Sequence, residues 1–540
     1  MYTQIVLEKV YSKCVESLKE YILQVAESGG LTHKQMEKLI IECRIDSFLG
    51  EIFLNKIDKV RIGCLDILQR NYNELCREEI RKLADCAYEN DIKLIVLKGV
   101  VFSEQYYYRP EKRRSGDIDV FVAPEDFAKF VNICKQRGYR FEYGEEIDES
   151  TIKCYEGDFW RDQHFNVITK SINNTAINID IHVALIQYQW FAGNCHLIYK
   201  DFWGRSSVSH MAPLNHVYEL EVHDLIIYLG LHFLQHFYSQ IWAGFIKGKY
   251  ILGTYLNLLV DIASVLVARS SEIEWDYFCK LCNSYLIDYE MANVLTFTKQ
   301  IFGEIVPQYV IFELDRQGKS YIKDRFYYSI CRFMTKRDLA YLLINPVIYW
   351  LNDYVDAVIK GKETLYCKKN FDILSFKGQY CYGSHFVASK MDFKVLLKWN
   401  ERSFCIEMGI KYAEQSFTDQ SAWEGCFLSD RNFIVIGIHG FEHRDETLSV
   451  KAFNIFYKKF SSGVGFSCDN EAVKVIVVDD KIIVNVPWII LGFTPDPGKS
   501  LGLSIIWTHY DTETKYARVG LSGNPTWHDI MGMYRIGLSE

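Results

Sequence analysis

Apolar and polar positions change rhythm three times along this chain. Over residues 1–90 apolar side chains recur every three or four positions, as in KLIIECRIDSFLGEIFLNKI and VRIGCLDILQRNYNELCREEIRKLADCAYEN, which is the period of amphipathic helices. Short apolar runs follow. KLIVL at 93–97 ends in Lys98-Gly99, DIDVFV at 117–122 is a second run of strand type, a helix follows at 124–137, and NIDIHVAL near 178–185 is a third strand. This alternation predicts a compact α/β core over residues 91–215. Residues 216–370 return to helical spacing in HDLIIYLGLHFLQHF, YLNLLVDIASVLVA and WDYFCKLCNSYL. From 385 to 540 come short alternating segments such as KVLLKW, SFCIEMGIKY, NFIVIGIHG and KIIVNVPW, with turns such as Asp-Pro-Gly at 496–498. Those segments predict an antiparallel β-sandwich, with the boundary near 370–390. The expected fold class is α+β and multidomain: an α/β core with helical flanking regions, plus the C-terminal sandwich.

Composition narrows the picture. Of 540 residues 49% are hydrophobic and 15% aromatic, enough to fill real cores and to exclude a disordered chain. The balance of 61 basic against 69 acidic residues gives a net charge of −8, which argues against coating extended nucleic acid through a broad basic surface. Sixteen cysteines with no spaced Cys/His set suit a reducing compartment. The greasiest stretches, 224–246 and 250–268, are broken by His232, Gln235 and His236 or by Asn257 and Asp261, and the N-terminus has no signal-peptide core. A cytoplasmic protein without a membrane partner is expected.

The chemistry concentrates in RRSGDIDVFV, residues 113–122. Side chains at i and i+2 of a strand share a face, so Asp117 and Asp119 project together while Ile118 and Val120 face the core. Two adjacent carboxylates repel unless a cation lies between them, and Mg²⁺ binds through one or two carboxylates plus substrate phosphates. Asp180 in NIDIHVAL has the same setting, with His182 on its face. If the strands are neighbours, Asp117, Asp119 and Asp180 form a cluster able to hold two metals about 3.5–4 Å apart. A DxD on a solvent-facing edge strand is common and carries no chemistry alone. The combination says more: a strand ending in Lys-Gly, the basic run Arg109, Lys112, Arg113 and Arg114, and a third strand aspartate. The basic run also has a plain reading, a solvated loop that balances Glu104 and Glu111. His232 and His236, at i and i+4 on one helix face, are read as pocket walls.

These elements resemble a known group. LIVLKG, a spacer holding the tyrosines 106–108, R..SGDIDVFV and NIDIH resemble the nucleotidyltransferases of the DNA polymerase beta superfamily, and more narrowly its uncharacterised branch with LKG, DID and DIH-type elements. The stretch from Leu225 through His232 to His236, and Asp261-Ile262-Ala263, also resemble that branch. The likeness covers roughly residues 75–305. It implies transfer of an NMP from an NTP to an acceptor hydroxyl of a small molecule, sugar or peptide. Asp117 and Asp119 would hold Mg²⁺ (or Mn²⁺), and Asp180 would complete the metal site or act as general base. Lys98, Gly99, Arg114, Ser115 and Gly116 would bind the NTP, with Tyr108, His182, His232 and His236 lining the pocket. The chain departs from the wider superfamily in having Lys98-Gly99, and a longer spacer, where a Gly-Ser phosphate loop is usual.

Farther on, Trp399-Asn400-Glu401, SFCIEMGIKY, Trp423 and NVPWIILGFTPDPGKSLGLSIIWTHYD resemble family 9 carbohydrate-binding modules over roughly 385–540. That likeness implies sugar rings stacked on aromatic faces, with Trp399, Trp423, Trp507 and Trp527 as the candidates, or else a docking surface for a protein partner or the acceptor. Two rival readings follow. One is a non-catalytic binding protein that works through the sandwich; the other is a toxin-like nucleotidyltransferase acting on tRNA or protein.

Overall fold

The computed structural model describes residues 4–141, 164–182, 185, 199–209, 214–247, 256–321, 339, 343, 364–369, 374–377, 379–383, 391–412, 421–429, 432–439, 454–461, 464–467, 474–478, 481–491, 494–510, 516–520 and 534–539. The chain opens with four helices, α1 (Gln4–Ser28), α2 (His33–Glu42), α3 (Asp46–Phe53) and α4 (Lys56–Glu89). On α1 the buried side chains Leu7, Val10, Cys14, Leu18, Ile22 and Val25 fall at three- and four-residue intervals, as the pattern requires. A capping box between Thr32 and Gln35 starts α2, and the Asn55 side chain accepts from the Asp58 amide to start α4.

An α/β unit follows: β1 (Leu94–Val96), α5 (Val100–Tyr106), β2 (Ile118–Phe121), α6 (Phe127–Gln136), β3 (Arg140–Phe141), β4 (His164–Ile172), β5 (Thr175–His182), α7 (Tyr199–Arg205), β6 (Ser207–Val208) and β7 (Val217–Glu219). They build a seven-stranded sheet in the order β3-β4-β5-β2-β1-β7-β6. The pairs β2–β5 and β1–β7 are parallel and the others antiparallel. Asn173 and Asn174 join β4 to β5, both at positive φ, the geometry that a two-residue hairpin needs and that asparagine tolerates.

The two faces of this sheet have different partners. Leu94, Val96, Ile118, Val120, Ile177, Ile179 and Ile181 pack against Ile80 and Leu83 of α4 and Phe130 and Val131 of α6. Ile95, Leu97 and Phe121 join the second core, built from α1 and from the helices α8 (Val222–Lys247), α9 (Leu256–Ala268), α10 (Trp275–Ser284), α11 (Asp288–Phe302) and α12 (Gln308–Tyr321). None of the described helices is long and apolar enough to cross a membrane. One buried ion pair ties the unit to the helical region. Arg113 donates through Nε and Nη2 to the two oxygens of Asp261 on α9, both at 2.8 Å, and Tyr107 donates to the same carboxylate at 2.5 Å.

The last part of the chain is β-rich: β8 (Thr364–Lys368), β9 (Leu374–Lys377), β10 (Gln379–Gly383), β11 (Met391–Trp399), β12 (Ser403–Tyr412), β13 (Ser421–Ser429), β14 (Asn432–His439), β15 (Asn454–Ser461), β16 (Val464–Ser467), β17 (Lys474–Val478), β18 (Lys481–Pro487), the short α13 (Trp488–Leu491), β19 (Ser500–Tyr510), β20 (Tyr516–Gly520) and β21 (Tyr534–Ser539). One sheet of five strands runs β17-β18-β12-β11-β9. A second of nine runs β10-β20-β19-β13-β14-β15-β16, with β21 beside β19 and β8 beside β21. Inward residues of β11, β12 and β18 meet those of β19 and β21 in a single apolar cluster.

Two sequence expectations change here. The pairing is not wholly antiparallel, because β8 and β21 run parallel. Among the described residues the strands also begin at Thr364, ahead of the boundary near 370–390 and inside the stretch read as helical. The five residues of β8 are too few for periodicity to separate a strand from a helix turn.

Two outcomes follow from this architecture. Arg113→Met leaves the Asp261 charge buried without its main partner and lowers stability by about 3–5 kcal/mol in urea denaturation, whereas Arg113→Met combined with Asp261→Leu recovers most of that loss. A double variant as unstable as the single one would contradict this. A chain of residues 364–540 gives a β-type circular dichroism spectrum, and one starting at 385 does not. The shorter chain lacks the Cys367 carbonyl that accepts from Trp399 Nε1 at 2.7 Å and the strand that covers β21. Equal spectra would reject β8 as part of that fold.

Candidate active site

Strand register creates the site. In the parallel pair β2–β5, Asp119 stands opposite Asp180 and Phe121 opposite His182. The alternation that sends Ile118, Val120, Ile179 and Ile181 to one face sends Asp119, Asp180 and His182 to the other, toward the helical core. His182 Nε2 lies 3.1 Å from Asp119 Oδ1 and 3.7 Å from Asp180 Oδ2. Ligand atoms of Asp119, Asp180 and His182 all fall within 4.8 Å of one another. Two carboxylates and an imidazole that close together could hold a divalent cation. Asp119 is fully buried, and its Oδ2 has no hydrogen-bond partner among the described residues. A cation would satisfy that oxygen.

Lys98 closes the fourth side. Its Nζ is 3.1 Å from Asp119 Oδ1 and 2.5 Å from His232 Nε2 on α8. Gly99 makes this position reachable. At φ +84° it turns the chain from β1 into α5, and a Cβ there would stand 3.2 Å from the Asp117 carbonyl and 3.4 Å from Ser115 Oγ. The loop ahead of β2 is held from behind as well. Ser115 Oγ donates to the Asp117 carbonyl at 3.1 Å, Gln69 donates to the Ser115 carbonyl at 3.1 Å, and Tyr72 donates to the Gly116 carbonyl at 2.8 Å.

The electrostatics are uneven. Burial opposes the Asp119 charge, but Lys98 and His182 outweigh it and hold that carboxyl below its usual range. Asp117, partly exposed just ahead of β2, is pushed up first by the Asp119 charge and then by burial. Burial, opposed in part by His182 and reinforced by Asp119, raises Asp180 to about 6. His182 is raised: burial works against its charged form, yet Asp180 and Asp119 prevail. Burial and then Lys98 push His232 well down, so that ring is neutral.

The residues expected from sequence therefore part company. Asp119, Asp180, Lys98, Gly99 and His232 come together. Asp117 adjoins them, within reach of the Asp119 charge, but lies outside the close three-ligand group, where His182 stands instead. Ser115 and Gly116 brace the loop through the contacts above. The basic run is largely consumed by helix acids. Lys112 pairs with Asp66 at 2.7 Å and Glu51 at 3.0 Å, Arg109 with Glu111 at 3.3 Å, and Arg113 with Asp261. Arg114 lies 3.6 Å from Asp66 and 3.8 Å from Asp46, so it is turned toward α3 and α4. Glu104 pairs with Arg77 of α4 rather than with the run.

Of the three tyrosines, Tyr106 and Tyr107 are buried, Tyr107 reaches Asp261, and Tyr108 is partly exposed. His236 stacks on His232 at 4.5 Å. Sequence reasoning missed Tyr228, one turn before His232 on α8, although the i, i+4, i+8 spacing of Tyr228, His232 and His236 was there to be seen. One Cys-x-x-Cys, Cys279 and Cys282 on α10, is packing: burial pushes the Cys279 thiol up to about 12 and Cys282 well above its ordinary value.

In the C-terminal sheets, Trp399 and Trp507 are core residues at 2% and 0% exposure, so neither offers a face for stacking. A large aromatic on the inward side of a strand fills the space between sheets. Trp423 lies on β13 in register with Trp507 on β19. Trp527 lies outside the described residues.

The Asp180 shift gives a signed prediction. Its carboxyl moves from 3.8 to about 6, so the fold favours the protonated form. That contribution is complete below the unfolded value and is lost as pH rises through about 6. In EDTA, Asp180→Asn should melt higher than the wild type above pH 6 and about equally at pH 4, and added Mg²⁺ should narrow the gap. A melting difference independent of pH would refute the burial account.

Residues 66–303 match the model of a family described as uncharacterised nucleotidyltransferase. No curated protein matches the chain. Among solved structures, a family 9 carbohydrate-binding module from Caldicellulosiruptor kristjanssonii in complex with cellotriose is similar at 11% identity and a TM-score of 0.22, covering 33% of this chain and 94% of that one. The same organism's module with glucose is similar at 11% identity and TM-score 0.19, covering 33% and 96%. A protein from Bacteroides uniformis described as carbohydrate-binding is similar at 10% and 0.25, covering 33% and 99%. The family match supports nucleotidyl transfer as the general activity, and Lys98, Asp117, Asp119, Asp180, His182 and His232 all lie within the 66–303 segment that matches the nucleotidyltransferase family.

Proposed function

We propose that this protein transfers an NMP group from an NTP to an acceptor hydroxyl with the help of a divalent cation, Mg²⁺ or Mn²⁺. The observation that carries the reading is the register of β2 against β5, which sets the Asp119 and Asp180 carboxylates side by side in a buried setting with one carboxylate oxygen left over. Like charges so placed are costly to bury without a purpose. Asp119, Asp180 and His182 hold the cation, with Asp117 at the edge. That cation, when bound, neutralises charge on the phosphates.

The other steps belong to the chain. The acceptor oxygen attacks the α-phosphorus, the bond to the β-phosphate breaks, and pyrophosphate leaves with the electron pair. Asp180 either completes the cation site or, in place of that role, takes the acceptor's proton. Lys98 offsets phosphate charge, and Gly99 lets the β1–α5 turn come close. A net charge of −8 favours a small molecule, sugar or peptide as acceptor over extended nucleic acid. Cysteine usage fits a cytoplasmic setting. We assign the C-terminal sheets to recognition of the acceptor or of a partner, because none of the described site residues comes from them.

The test is release of pyrophosphate from each NTP, with Mg²⁺ and a panel of acceptors. Asp119→Asn and Asp180→Asn should each reduce transfer by about 10³-fold, and EDTA should abolish it. Asp117→Ala should abolish turnover while its melting temperature stays equal or rises, because repulsion from Asp119 is relieved. Full activity in Asp119→Asn would overturn the proposal.

A further inference from the structure

Helix α8 turns a polar stripe toward the carboxylates. Tyr228 and His232 on it are 1% and 7% exposed, with rings 5.7 Å apart edge to face. His232 Nε2 sits 2.5 Å from Lys98 Nζ. An ammonium can only donate, so Nε2 accepts and the neutral ring carries its hydrogen on Nδ1. That Nδ1 has no hydrogen-bond partner among the described residues, and neither has the Tyr228 hydroxyl. Burial, then the charges of Asp119, Asp180 and Asp117, hold the Tyr228 phenol well above its ordinary range, so it keeps its hydrogen.

The neighbourhood thus holds two buried donors without partners among the described residues, one ammonium between His232 and the metal-ligand group, and one leftover oxygen on Asp119. A buried polar group left without a partner is costly, so native proteins complete such groups with a ligand or water. Two donors and a cation call for an anion with several oxygens, and the leftover carboxylate oxygen calls for a cation. A metal-bound polyphosphate supplies both. A hydroxyl acceptor would match the donors but would have no use for the ammonium.

We propose that Tyr228 and His232, with Lys98, grip the β- and γ-phosphate oxygens of the NTP and stabilise the departing pyrophosphate. This rests on the nucleotidyltransferase reading and assigns to α8 the task that a Gly-Ser loop would otherwise perform. Lys98 is the link. It now neutralises Asp119, and once a cation shares that carboxylate, its charge becomes available to the phosphates. Metal and polyphosphate therefore bind cooperatively.

The experiment is calorimetry on the full chain in Mg²⁺ with inorganic pyrophosphate, with each NTP and with the corresponding NMP. Tyr228→Phe and His232→Gln should each weaken pyrophosphate and NTP binding about tenfold while NMP binding changes less than twofold. Without ligand, Tyr228→Phe should melt no lower than the wild type, because it removes a buried hydroxyl that has no partner; that reading separates lost contact from lost fold. Wild-type pyrophosphate affinity in both variants, or equal weakening of NMP binding, overturns the phosphate grip and leaves the transferase reading intact. A wild-type protein that binds neither pyrophosphate nor any NTP in Mg²⁺ overturns the transferase reading itself, and this one with it.

Discussion

Asp119 is a charge with no access to water, and the surrounding structure is arranged to keep it ionised. Lys98 at 3.1 Å and His182 at 3.1 Å face one of its oxygens, and Asp180 stands beside it across the strand pair. Burial alone would neutralise such a carboxyl. That it is held below the ordinary range instead shows that the local counter-charge exceeds the desolvation penalty. The same charge pushes Asp117 and Asp180 the other way. One strongly ionised carboxylate between two that protonate more readily is a division of roles made by environment, since all three side chains are chemically identical.

The helical region belongs to this arrangement rather than merely flanking it. Asp261 on α9 takes both nitrogens of the Arg113 fork and the Tyr107 hydroxyl, so the loop that leads into Asp117 and Asp119 is anchored outside its own sheet. Helix α8, which packs in the same core as α9, supplies His232 to Lys98. A shift of these helices would move the lysine and the aspartate loop together. Geometry at the carboxylates is thus set by packing between elements more than a hundred residues apart in the chain.

Much of the site was legible in the sequence because it depends on period-two alternation. DIDVFV and NIDIH put Ile118, Val120, Ile179 and Ile181 on one face and Asp119 and Asp180 on the other, where Phe121 and His182 also stand. Which strand would neighbour β2 was not legible, since parallel pairing joins segments whose separation leaves no local trace. Charge partners were hidden for a related reason. Lys112, Arg113 and Arg114 looked available to phosphates, but their acids lie on α3, α4 and α9, distant in sequence and adjacent in space, while Arg109 pairs with Glu111 beside it. His182 was marked as pocket lining although its i+2 relation to Asp180 already placed it on the ligand face. The tryptophans misled through chemistry: indole suits a sugar face and a sheet core equally well, and burial decides between them.

The parallel pairing of β8 with β21 has a mechanical meaning. These are the first and last of the described strands in the C-terminal sheets, and they lie side by side pointing the same way. Tension applied at the start of β8 and the end of β21 would pull them in opposite senses along their shared axis. All the rungs between them would then bear load at once, in shear, instead of parting one after another like a zip. The far end of this chain is built to resist being drawn out lengthwise.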